Sequence, residues 1–455
     1  MDKGTHFYRC DFQVHTPRDR QWQGDRPISE EDRRSYAVDF IAACRAKRLD
    51  AVAITDHHDM AFIPYIREAA ANELDAEGNP LPEEQRIQIF PGMELTLGIP
   101  CQALLIFGAD FPDDMFGLAT TSLTITPANA SEPQCHEIER LARITTLQEL
   151  QQELDKHEYL KGNYILLPNV SEGGASTLLR SGHSGHYKNM PCVGGYLDGN
   201  ISQLGEGNIR ILSGRDIEYG NKSVALFQTS DNRSRDFAQL GTEATWVKWA
   251  VPTAEALRQA CLAYESRISQ DTPLVPSVYI TSLSVSNSTF MGPINIEFSS
   301  QFNSIIGGRG TGKSTILEYL RWGLCDEVPS SIDYEDLPSY EAKRDSLIRQ
   351  TLTALNANVQ VNFIVNGVPH SVRRDSTNGE LTLKIAGGDF DTCTEQDVRN
   401  LLPIQAYSQK QLSNVAIRIE ELTRFIRSPI RQQLKNANIQ LEQTALQMRS
   451  VYSSL

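Results

Sequence analysis

The stretch "CDFQVHTPRD", residues 10–19, is an apolar run that leads into a histidine, His15, with Asp19 close behind it. Comparable runs recur through the first 270 residues: "DAVAITDHHD" (50–59), "IQIFPGMEL" (87–95), "CQALLIFG" (101–108), "NYILLPNV" (163–170), "IRILSG" (209–214) and "SVALFQTSD" (223–231). Helical patterns such as "YAVDFIAACRAKRL" separate several of them. Apolar strands that alternate with helices predict βα repeats around a parallel sheet, either closed or open.

Five of these runs finish in side chains that can bind a metal ion or a phosphate group: His15, Asp56 with His57, Glu94, Asn169 and Asp231. A polar residue at the end of one strand is common and needs no function. In βα barrels, however, the chemistry collects at the carboxyl ends of the strands. The repeated pattern therefore predicts a site at that edge of the sheet.

A second motif, "GGRGTGKS" at residues 307–314, fits the phosphate-loop pattern GxxxxGK[ST]. It follows the apolar run "FNSII", which we expect to be a strand, and it opens the helical pattern "TILEYLRWGL". Backbone N–H groups of such a loop surround phosphate oxygens, Lys313 reaches the β and γ phosphates, and Ser314 binds Mg²⁺. We predict ATP as the ligand, with these residues at its phosphates: Gly307, Arg309, Gly310, Gly312, Lys313, Ser314 and Thr315.

The chain is too long for one ordinary domain, since its 455 residues exceed the size at which single cores stop growing. The Pro- and Ser-rich stretch "SQDTPLVPSV" (269–278) marks a boundary. We predict a first domain over 1–270, a second over 271–415, and the start of a coiled-coil helix over 416–455, where a loose apolar stripe crosses Pro429.

With 40% apolar and 22% charged residues, the composition is that of an ordinary globular protein. It therefore argues against a disordered or fibrous protein and excludes little else. The net charge of −14 argues against a wholly basic nucleic-acid coat but allows a local basic groove. Eight scattered cysteines without a CxxC pair are typical of a reduced intracellular protein. With no apolar stretch long enough to span a membrane, we expect a cytoplasmic protein without a membrane partner.

The strand pairs before the phosphate loop, and "IIGGRGTGKSTILEYLRWGL" itself, resemble the ATPase heads of the ABC and SMC-like class. In that class a glutamine-bearing loop follows, and "PIQAYSQKQL" suits it, with Gln409 as first choice and Gln405 as second; a polar linker is the alternative. The class also has a signature motif, an Asp-Glu strand end and a switch histidine, and none follows Lys410. The resemblance therefore implies the N-terminal lobe of a head, completed by a longer protein or a separate chain, and a homodimer or higher oligomer formed through that head.

Four motifs in order, "DFQVHTP", "AITDHHD", "PGMEL" and "TSDNR", resemble the polymerase-and-histidinol-phosphatase (PHP) domain. That resemblance implies an α/β fold, a PHP-type (β/α)7-like barrel, with metal ions that activate water and hold a phosphate ester. His15, His57, Glu94 and Asp231 match the ligand types of the family and, with Arg233, are the expected catalytic residues.

Other positions depart from the PHP pattern: Gln13, Gln102, Asn169 and Arg233 stand where histidines are expected, and Asp19 could replace a further ligand. Arginine cannot bind a metal, whereas amide oxygens can. We therefore expect one Mg²⁺ or Mn²⁺ ion held by His15, Glu94, Asp231 and Gln13. Arg233 then supplies, beside the phosphate, the positive charge that a lost metal ion would have supplied.

Two further features leave alternatives open. "LLRSGHSGHYKN", with Arg180, His183, His186 and Lys188, is either a grip for phosphates or an ordinary surface loop. His58 is expected to face away from the site because neighbouring residues of a strand alternate between its two sides.

PHP domains joined to SMC-like ATPases, the TrlF-type group, resemble this chain at "DFQVHTPRD", "TDHHD" and "GGRGTGKST". The resemblance implies ATP-gated processing of DNA or RNA by a phosphodiesterase or nuclease centre, in defence against phage or mobile DNA or in repair. One alternative is a non-catalytic scaffold or sensor that binds nucleic acid or a partner effector subunit. Another is a small-molecule phosphatase regulated by ATP.

Overall fold

A computed structural model describes residues 4–99, 101–126, 129, 131–135, 140–141, 143–174, 176–326, 340–404, 406 and 431–454. The chain divides into two compact units, with the first over Gly4–Leu274 and the second from Val275 onward. Within the described residues, no helix is both long and apolar enough to cross a membrane.

The first unit is a mixed α/β fold. Its strands are β1 (His6–Val14), β2 (Ala51–Ile54), β3 (Gln88–Thr96), β4 (Gln102–Phe107), β5 (Tyr164–Pro168), β6 (Gly194–Asp198), β7 (Ala225–Thr229), β8 (Thr245–Trp249) and β9 (Ile268–Ser269). Its helices are α1 (Glu30–Ala46), α2 (Ile63–Ala71), α3 (Phe116–Ser122), α4 (Leu147–Leu154), α5 (Ser184–Asn189), α6 (Glu206–Leu212), α7 (Ala254–Leu262) and α8 (Tyr264–Arg267).

Seven of these strands close into a barrel. One sheet has the order β5-β4-β3-β2-β1-β8-β9, and β6 and β7 form a separate parallel pair. Parallel bridges then join β5 to β6 through Asn169 and Tyr196, and β7 to β1 through Asn232 and Val14. The ring β1 to β7 is therefore complete, as predicted for a PHP-type barrel.

Two expectations about the strands are wrong. The run "IRILSG" (209–214) is not a strand, because Glu206–Leu212 is helix α6, and the sixth strand is "GGYLD" (194–198) instead. Strand β4 also runs antiparallel to both β3 and β5. Only residues 97–101 join β3 to β4, and a parallel crossover needs a dozen residues or more.

The barrel interior is filled by apolar side chains. Phe12 lies at its centre, with ring centroids 5.3 Å from Phe90 and 5.6 Å from Phe227. Trp249 of β8 packs against Phe90 and belongs to the same buried cluster. A separate cluster fills the space between the strands and the helices outside them. The interior below the strand ends is thus a packed core rather than a channel.

A β-bulge in β1 changes which side chains face the barrel interior. Cys10 and Phe12 belong to the interior cluster, but Val14, which strict alternation would place beside them, belongs to the outer cluster. The register with β2 shifts between Asp11 and Val14, so β1 carries one extra residue there. The bulge turns Gln13 and His15 toward the mouth of the barrel.

The second unit contains a six-stranded antiparallel sheet of order β11-β10-β12-β13-β14-β15. Its strands are β10 (Val278–Val285), β11 (Ile294–Glu297), β12 (Asn358–Val365), β13 (Val368–Asp375), β14 (Leu381–Ile385) and β15 (Asp391–Thr392). Its helices are α9 (Lys313–Gly323), α10 (Tyr340–Thr351), α11 (Glu395–Leu401) and α12 (Arg431–Ser454).

Two predictions for this unit are confirmed. The "NG" turn joins β12 to β13, with Asn366 and Gly367 both at positive φ, 50° and 80°; such a turn matches the right-handed twist of the strands. The run "TILEYLRWGL" is helix α9.

The expectation that "FNSII" forms a strand is wrong. None of the described strands includes it or pairs with it, and Phe302 and Ile306 are 87% and 91% exposed. An extended segment becomes a strand only where a neighbour accepts its backbone hydrogen bonds.

We predict that Phe12→Ala destabilises the first unit by about 3 to 5 kcal/mol, because a fully buried aromatic ring is removed and a cavity remains. Urea unfolding followed by tryptophan fluorescence measures the loss, since Trp22, Trp246 and Trp249 lie in this unit. Phe302→Ala is the matched control, being the same change at a ring that is 87% exposed. Equal losses for the two variants would contradict the packing described for the barrel.

Candidate metal centre and nucleotide site

The structure brings the predicted side chains together at the mouth of the barrel. His15, His57, Asn169 and Asp231 follow β1, β2, β5 and β7, and Glu94 lies near the end of β3. All of these strands are parallel to one another, so their carboxyl ends meet at one edge. Gln102 joins them because β4 is antiparallel, which puts the start of that strand at the same edge.

His15 lies at the centre of this group. Its Nδ1 is 3.1 Å from Asp19 Oδ2, and its Nε2 is 3.1 Å from Asp231 Oδ1 and 3.4 Å from Glu94 Oε2. The imidazole is completely buried, yet within the described part of the chain neither ring nitrogen has a hydrogen bond of acceptable geometry. Carboxylate oxygens therefore lie near both ring nitrogens without forming well-aligned hydrogen bonds to them.

His57 shares its neighbours with His15. Its Nδ1 is 2.8 Å from Asp19 Oδ2, and its Nε2 is 3.3 Å from both Glu94 Oε2 and Gln102 Nε2. Asp19 therefore holds both imidazoles on one side. Glu94 lies on the other side and accepts a 3.1 Å hydrogen bond from the Tyr196 hydroxyl through its Oε1.

Arg233 spans the carboxylates. Its Nη2 is 2.9 Å from Asp231 Oδ1 and 3.4 Å from Glu94 Oε2, and its Nη1 is 3.2 Å from Asp19 Oδ1. Asp231 adopts a left-handed backbone conformation, φ 50°, which aspartate tolerates better than most residues. In this arrangement the guanidinium binds the same carboxylates that would hold a metal ion.

The pKa shifts follow from these contacts. Burial and Arg233 act to lower the pKa of His15, but Asp19, Asp231 and Asp56 outweigh them and raise it well above its usual value. Burial acts to raise the pKa of Glu94, but His15, His57 and Arg233 lower it to about 2. Glu94 is therefore a carboxylate at neutral pH.

The donor set suits a hard divalent cation. His15, His57 and Glu94 place ligand atoms within 4.8 Å of one another, and so do His15, Asp19 and Asp56. Asp19, Asp56, Glu94 and Asp231 are four carboxylates against the guanidinium of Arg233 and the His15 ring, whose pKa is raised, so negative charge is still in excess where water is largely excluded. That excess and the unbonded His15 ring fit a bound metal ion, with oxygen donors that favour Mg²⁺ or Mn²⁺.

Two predicted positions make contacts that the sequence did not indicate. Gln13 Oε1 accepts a 2.7 Å hydrogen bond from the Thr229 hydroxyl. Asn169 donates from Nδ2 to Asp198 Oδ2 at 3.2 Å. Asp198 ends the strand "GGYLD". The two glycines interrupt the apolar pattern of this strand, so the sequence did not reveal the strand or its carboxylate. The position of Asp198 at a strand end is the signal that could have identified it.

His58 has a structural role. Its ring nitrogen Nε2 accepts a 3.2 Å hydrogen bond from the backbone N–H of Thr96, and its φ of 54° turns the chain after β2. Burial and the neighbouring His57 lower the pKa of His58 to about 4. The ring is therefore a neutral acceptor.

The segment with Arg180 and Lys188 borders the mouth of the barrel. Backbone hydrogen bonds fix it there, from Gln102 N to Ser176 O at 2.9 Å and from Leu178 N to Asn169 O at 3.0 Å. Arg180 Nε donates to His183 Nε2 at 3.2 Å, and Lys188 lies at the surface. The part of the segment before Arg180 is therefore anchored beside the site, and Lys188 lies on helix α5.

In the second unit, the phosphate loop leads directly into α9. Gly310 and Gly312 have φ of 82° and 86°, and a Cβ at Gly312 would lie 2.4 Å from Met291 Sδ. Both glycines are therefore required by the fold of the loop. Lys313 Nζ donates to the carbonyls of Gly307 and Gly308 at 2.7 and 2.6 Å.

Lys313 and Ser314 also border a cavity of about 930 Å³ in this unit, whose other walls are mainly apolar, with Phe298, Leu317 and Leu402 among them. Arg309 and Thr315 belong to the same loop and helix start. The glutamine predictions, Gln409 and Gln405, fall outside the described residues.

Comparison with family models finds one match, and it lies in the second unit. Residues 282–450 match the family model described as an AAA domain. In the first unit, all four PHP-like motifs contribute side chains to one cluster. The first unit therefore has the PHP-like fold expected from the sequence, and the second unit contains the region that matches an AAA domain. The match to an AAA domain indicates that the second unit uses a nucleotide.

No curated protein matches the chain. Among solved structures, it is similar to the lesion-specific endonuclease PfuEndoQ from Pyrococcus furiosus, with 13% identity over 61% of this chain and 62% of that one and a TM-score of 0.39. An Endonuclease Q bound to a 27-mer duplex with an abasic lesion gives 12% identity over 63% and 65%, with a TM-score of 0.37. A structure from a study of ATP-driven dimerization of SMC ATPases gives 21% identity over 35% and 99%, with a TM-score of 0.19. The chain spans less than two thirds of the two endonucleases, and all three similarities are loose.

We predict that His58 makes the first unit less stable as the pH falls from about 6.5 to about 4. Because the pKa of His58 is lowered in the folded state, the unfolded chain binds more protons across that window, and stability is lost as the pH falls. His58→Gln keeps an acceptor for Thr96 and removes the titration. Between pH 7 and pH 5 the wild-type protein should lose about 1 to 2 kcal/mol more than the variant in urea unfolding. Parallel losses would show that His58 does not titrate in this way.

We predict that Lys313→Ala weakens ATP binding at least about tenfold, because a charge-assisted hydrogen bond to phosphate is removed. Titration with a fluorescent ATP analogue measures the affinity. Lys343→Ala is the control, since Lys343 is an exposed cation on α10. A variant that binds as tightly as wild type would show that the loop does not hold the phosphates.

Proposed function

We propose that this protein is a metal-dependent nuclease whose PHP-like centre is controlled by ATP binding at the SMC-like domain. The observation that carries the proposal is the cluster around His15. A buried imidazole without hydrogen bonds lies among carboxylates from several strand ends, beside an arginine that can bind phosphate. Metal ligands and a phosphate-binding group at one barrel mouth are what hydrolysis of a phosphodiester requires.

The residues have distinct roles in this proposal. His15, Glu94 and Asp231 would hold the cation, with Gln13 as the fourth predicted ligand. A divalent cation bound there supplies Lewis-acid polarisation of a phosphoryl oxygen and lowers the pKa of an attacking water. Asp19 orients the His15 and His57 rings.

Tyr196 and Arg233 complete the arrangement. Burial and the nearby carboxylates raise the pKa of Tyr196 well above its usual value, so its hydroxyl remains a donor that orients Glu94. Arg233 can exchange its carboxylate contacts for two parallel hydrogen bonds to a phosphate.

Nucleic acid, DNA or RNA, is the proposed substrate. Arg233 lies at the mouth, and the segment anchored there through Ser176 and Leu178 continues to Arg180 and then to Lys188 on α5, which supply further positive charge in a chain of net charge −14. A phosphate backbone is long enough to contact both. ATP with Mg²⁺ at Ser314 is the proposed nucleotide complex, and head-to-head association in a homodimer or larger assembly is the proposed form of control. A role in phage defence or repair is the biological context that we propose.

A non-catalytic sensor is the second candidate, and the ion pairs of Arg233 favour it. With Asp19, Glu94 and Asp231 all bound to one guanidinium, much of the ligand set is already satisfied within the protein. Such a barrel would bind nucleic acid or a partner effector subunit without cleaving it.

Incubating the full chain with linear DNA, circular DNA and tRNA in Mn²⁺, with and without ATP, tests the proposal. We expect cleavage of at least one polymer, a loss of about a hundredfold or more in Asp231→Ala, and in Lys313→Ala a cleavage rate that no longer responds to ATP. Asp114→Ala is the control, because it removes an exposed carboxylate of the same unit.

The outcomes separate the two candidates. ATP-dependent binding of a polymer without cleavage would support the sensor. Cleavage that persists in Asp231→Ala at the wild-type rate would exclude the barrel mouth as the nuclease centre.

A further inference from the structure

A buried ion pair connects the two loops that supply the histidines of the metal-binding cluster. Arg18 Nε is 2.5 Å from Asp59 Oδ2, and the two side chains are 2% and 3% exposed. Arg18 immediately precedes Asp19, and Asp59 follows His57 by two residues. The pair therefore joins the turn after β1 to the loop after β2.

Further hydrogen bonds hold both partners of this pair in place. Arg18 Nη1 donates to the carbonyls of Glu132 and Asn129, at 2.5 and 3.3 Å. Asp59 Oδ1 accepts from the backbone N–H of Ala61 at 3.0 Å. Neither side chain can turn without breaking these contacts, so the pair is a fixed link between the two loops.

Asp19 depends on that link for its place between the two imidazoles. Its Oδ2 is 3.1 Å from His15 Nδ1 and 2.8 Å from His57 Nδ1, and the backbone N–H of His57 donates to the same oxygen at 3.2 Å. One oxygen that serves two rings tolerates little displacement, because hydrogen bonds weaken steeply with poor distance or angle. A shift of one loop relative to the other would therefore change the surroundings of both rings.

Stability alone does not account for a buried ion pair at this point. Taking two charges out of water costs about as much as their attraction returns, so apolar side chains of similar size often stabilise a fold equally well or better. Apolar side chains lack direction, however, whereas a planar guanidinium holds its partners along its N–H bonds. The contact between Arg18 and Asp59 thus supplies a defined geometry between the loops.

We propose that Arg18 and Asp59 are positioning residues of the metal centre. Their ion pair fixes Asp19 relative to His57 and thereby sets the directions of both imidazole rings. This role rests on the proposed metal-dependent function, although the geometry exists before any ion binds.

The double variant Arg18→Met/Asp59→Leu tests the role, because it removes both charges together. The carbonyls that lose Arg18 keep other donors: Glu132 O also accepts from Arg33 Nη2 at 3.2 Å, and Asn129 O accepts from the N–H of Glu132 at 3.0 Å. The double variant should therefore unfold at close to the wild-type temperature. Arg18→Met alone should unfold at a lower temperature, because it leaves a buried carboxylate without its cation.

Binding of Mn²⁺ to the full chain is the first readout. Isothermal titration without nucleotide, so that no phosphate-bound cation forms at Ser314, should give a Kd about tenfold weaker for the double variant than for the wild type. Tenfold is the low end of the cost of disturbing residues that orient metal ligands.

Arg45→Met/Glu73→Leu is the matched control. Arg45 Nε is 2.7 Å from Glu73 Oε1, so this is also an ion pair between an arginine and a carboxylate. Glu73 accepts from the N–H of Ile87 just before β3, at the edge of the sheet opposite the barrel mouth. The control should bind Mn²⁺ with the wild-type Kd.

The ¹⁵N signals of the His15 and His57 rings in metal-free protein are the second readout, which a purely structural role would leave unchanged. Displacement of Asp19 should shift the Nδ1 signal of each ring in the double variant but not in the control. His15→Gln and His57→Gln assign the signals.

Arg18→Lys takes the place of the double variant if the latter does not fold. Lysine keeps a positive charge opposite Asp59, but its single ammonium group cannot reproduce the planar fork of arginine. The Kd for Mn²⁺ should again be weaker than that of the wild type, with shifted imidazole signals.

The outcomes distinguish this inference from the proposed function. An unchanged Kd or unchanged imidazole signals in the folded variant would overturn the positioning role alone. Failure of the wild-type protein to bind Mn²⁺ would overturn the metal-dependent function, and the imidazole signals would still decide whether the ion pair positions the two rings.

Discussion

The first unit depends on how it neutralises negative charge at the mouth of its barrel. Asp19, Asp56 and Glu94 are buried there, and Asp231 lies beside them. Isolated carboxylates are costly to bury, so each must be hydrogen-bonded or paired with positive charge. Asp56 is satisfied locally by the backbone N–H and hydroxyl of Thr16, at 2.7 and 2.6 Å. Asp19 accepts from the backbone N–H of Gln21 at 2.8 Å and Glu94 from the Tyr196 hydroxyl, and the positive charge of Arg233 lies between them. The carboxylates of Asp19, Asp231 and Asp56 raise the pKa of His15 despite its burial.

Three local features of the backbone bring the side chains of this cluster together. The bulge in β1 reverses the alternation after Phe12, so the strand that supplies the aromatic centre of the core leads directly into His15 at the mouth of the barrel. The short link between β3 and β4 forces an antiparallel strand, which brings Gln102 to the edge where the parallel strands end. The left-handed conformation of Asp231 lets a carboxylate and Arg233 point at one place from adjacent positions of a loop.

Much of this could be predicted from the sequence, for identifiable reasons. The residues after apolar runs, such as His57 and Asp231, were found because a strand end is visible as the place where apolar character stops. The "NG" hairpin and helix α9 were found because both have strong local signals. Asp198 was not predicted because the two glycines before it weaken the apolar pattern of its strand. The bulge in β1 was not predicted because polar and apolar residues alternate regularly in "RCDFQVH". The exposed "FNSII" was misjudged because an apolar run predicts a strand whether or not a neighbouring strand is present to pair with it.

The two sites share one property, although they lie in separate units. In the cluster, Arg233 binds Asp19, Glu94 and Asp231, and in the phosphate loop Lys313 binds the carbonyls of Gly307 and Gly308. Each cation therefore has internal partners that a phosphate must replace. Binding at either site is an exchange of hydrogen bonds, and its net free energy is smaller than the new contacts alone would give. Under the proposed function, a carboxylate released when Arg233 bound a phosphate would become available to a metal ion, so phosphate and metal would favour each other at the barrel mouth.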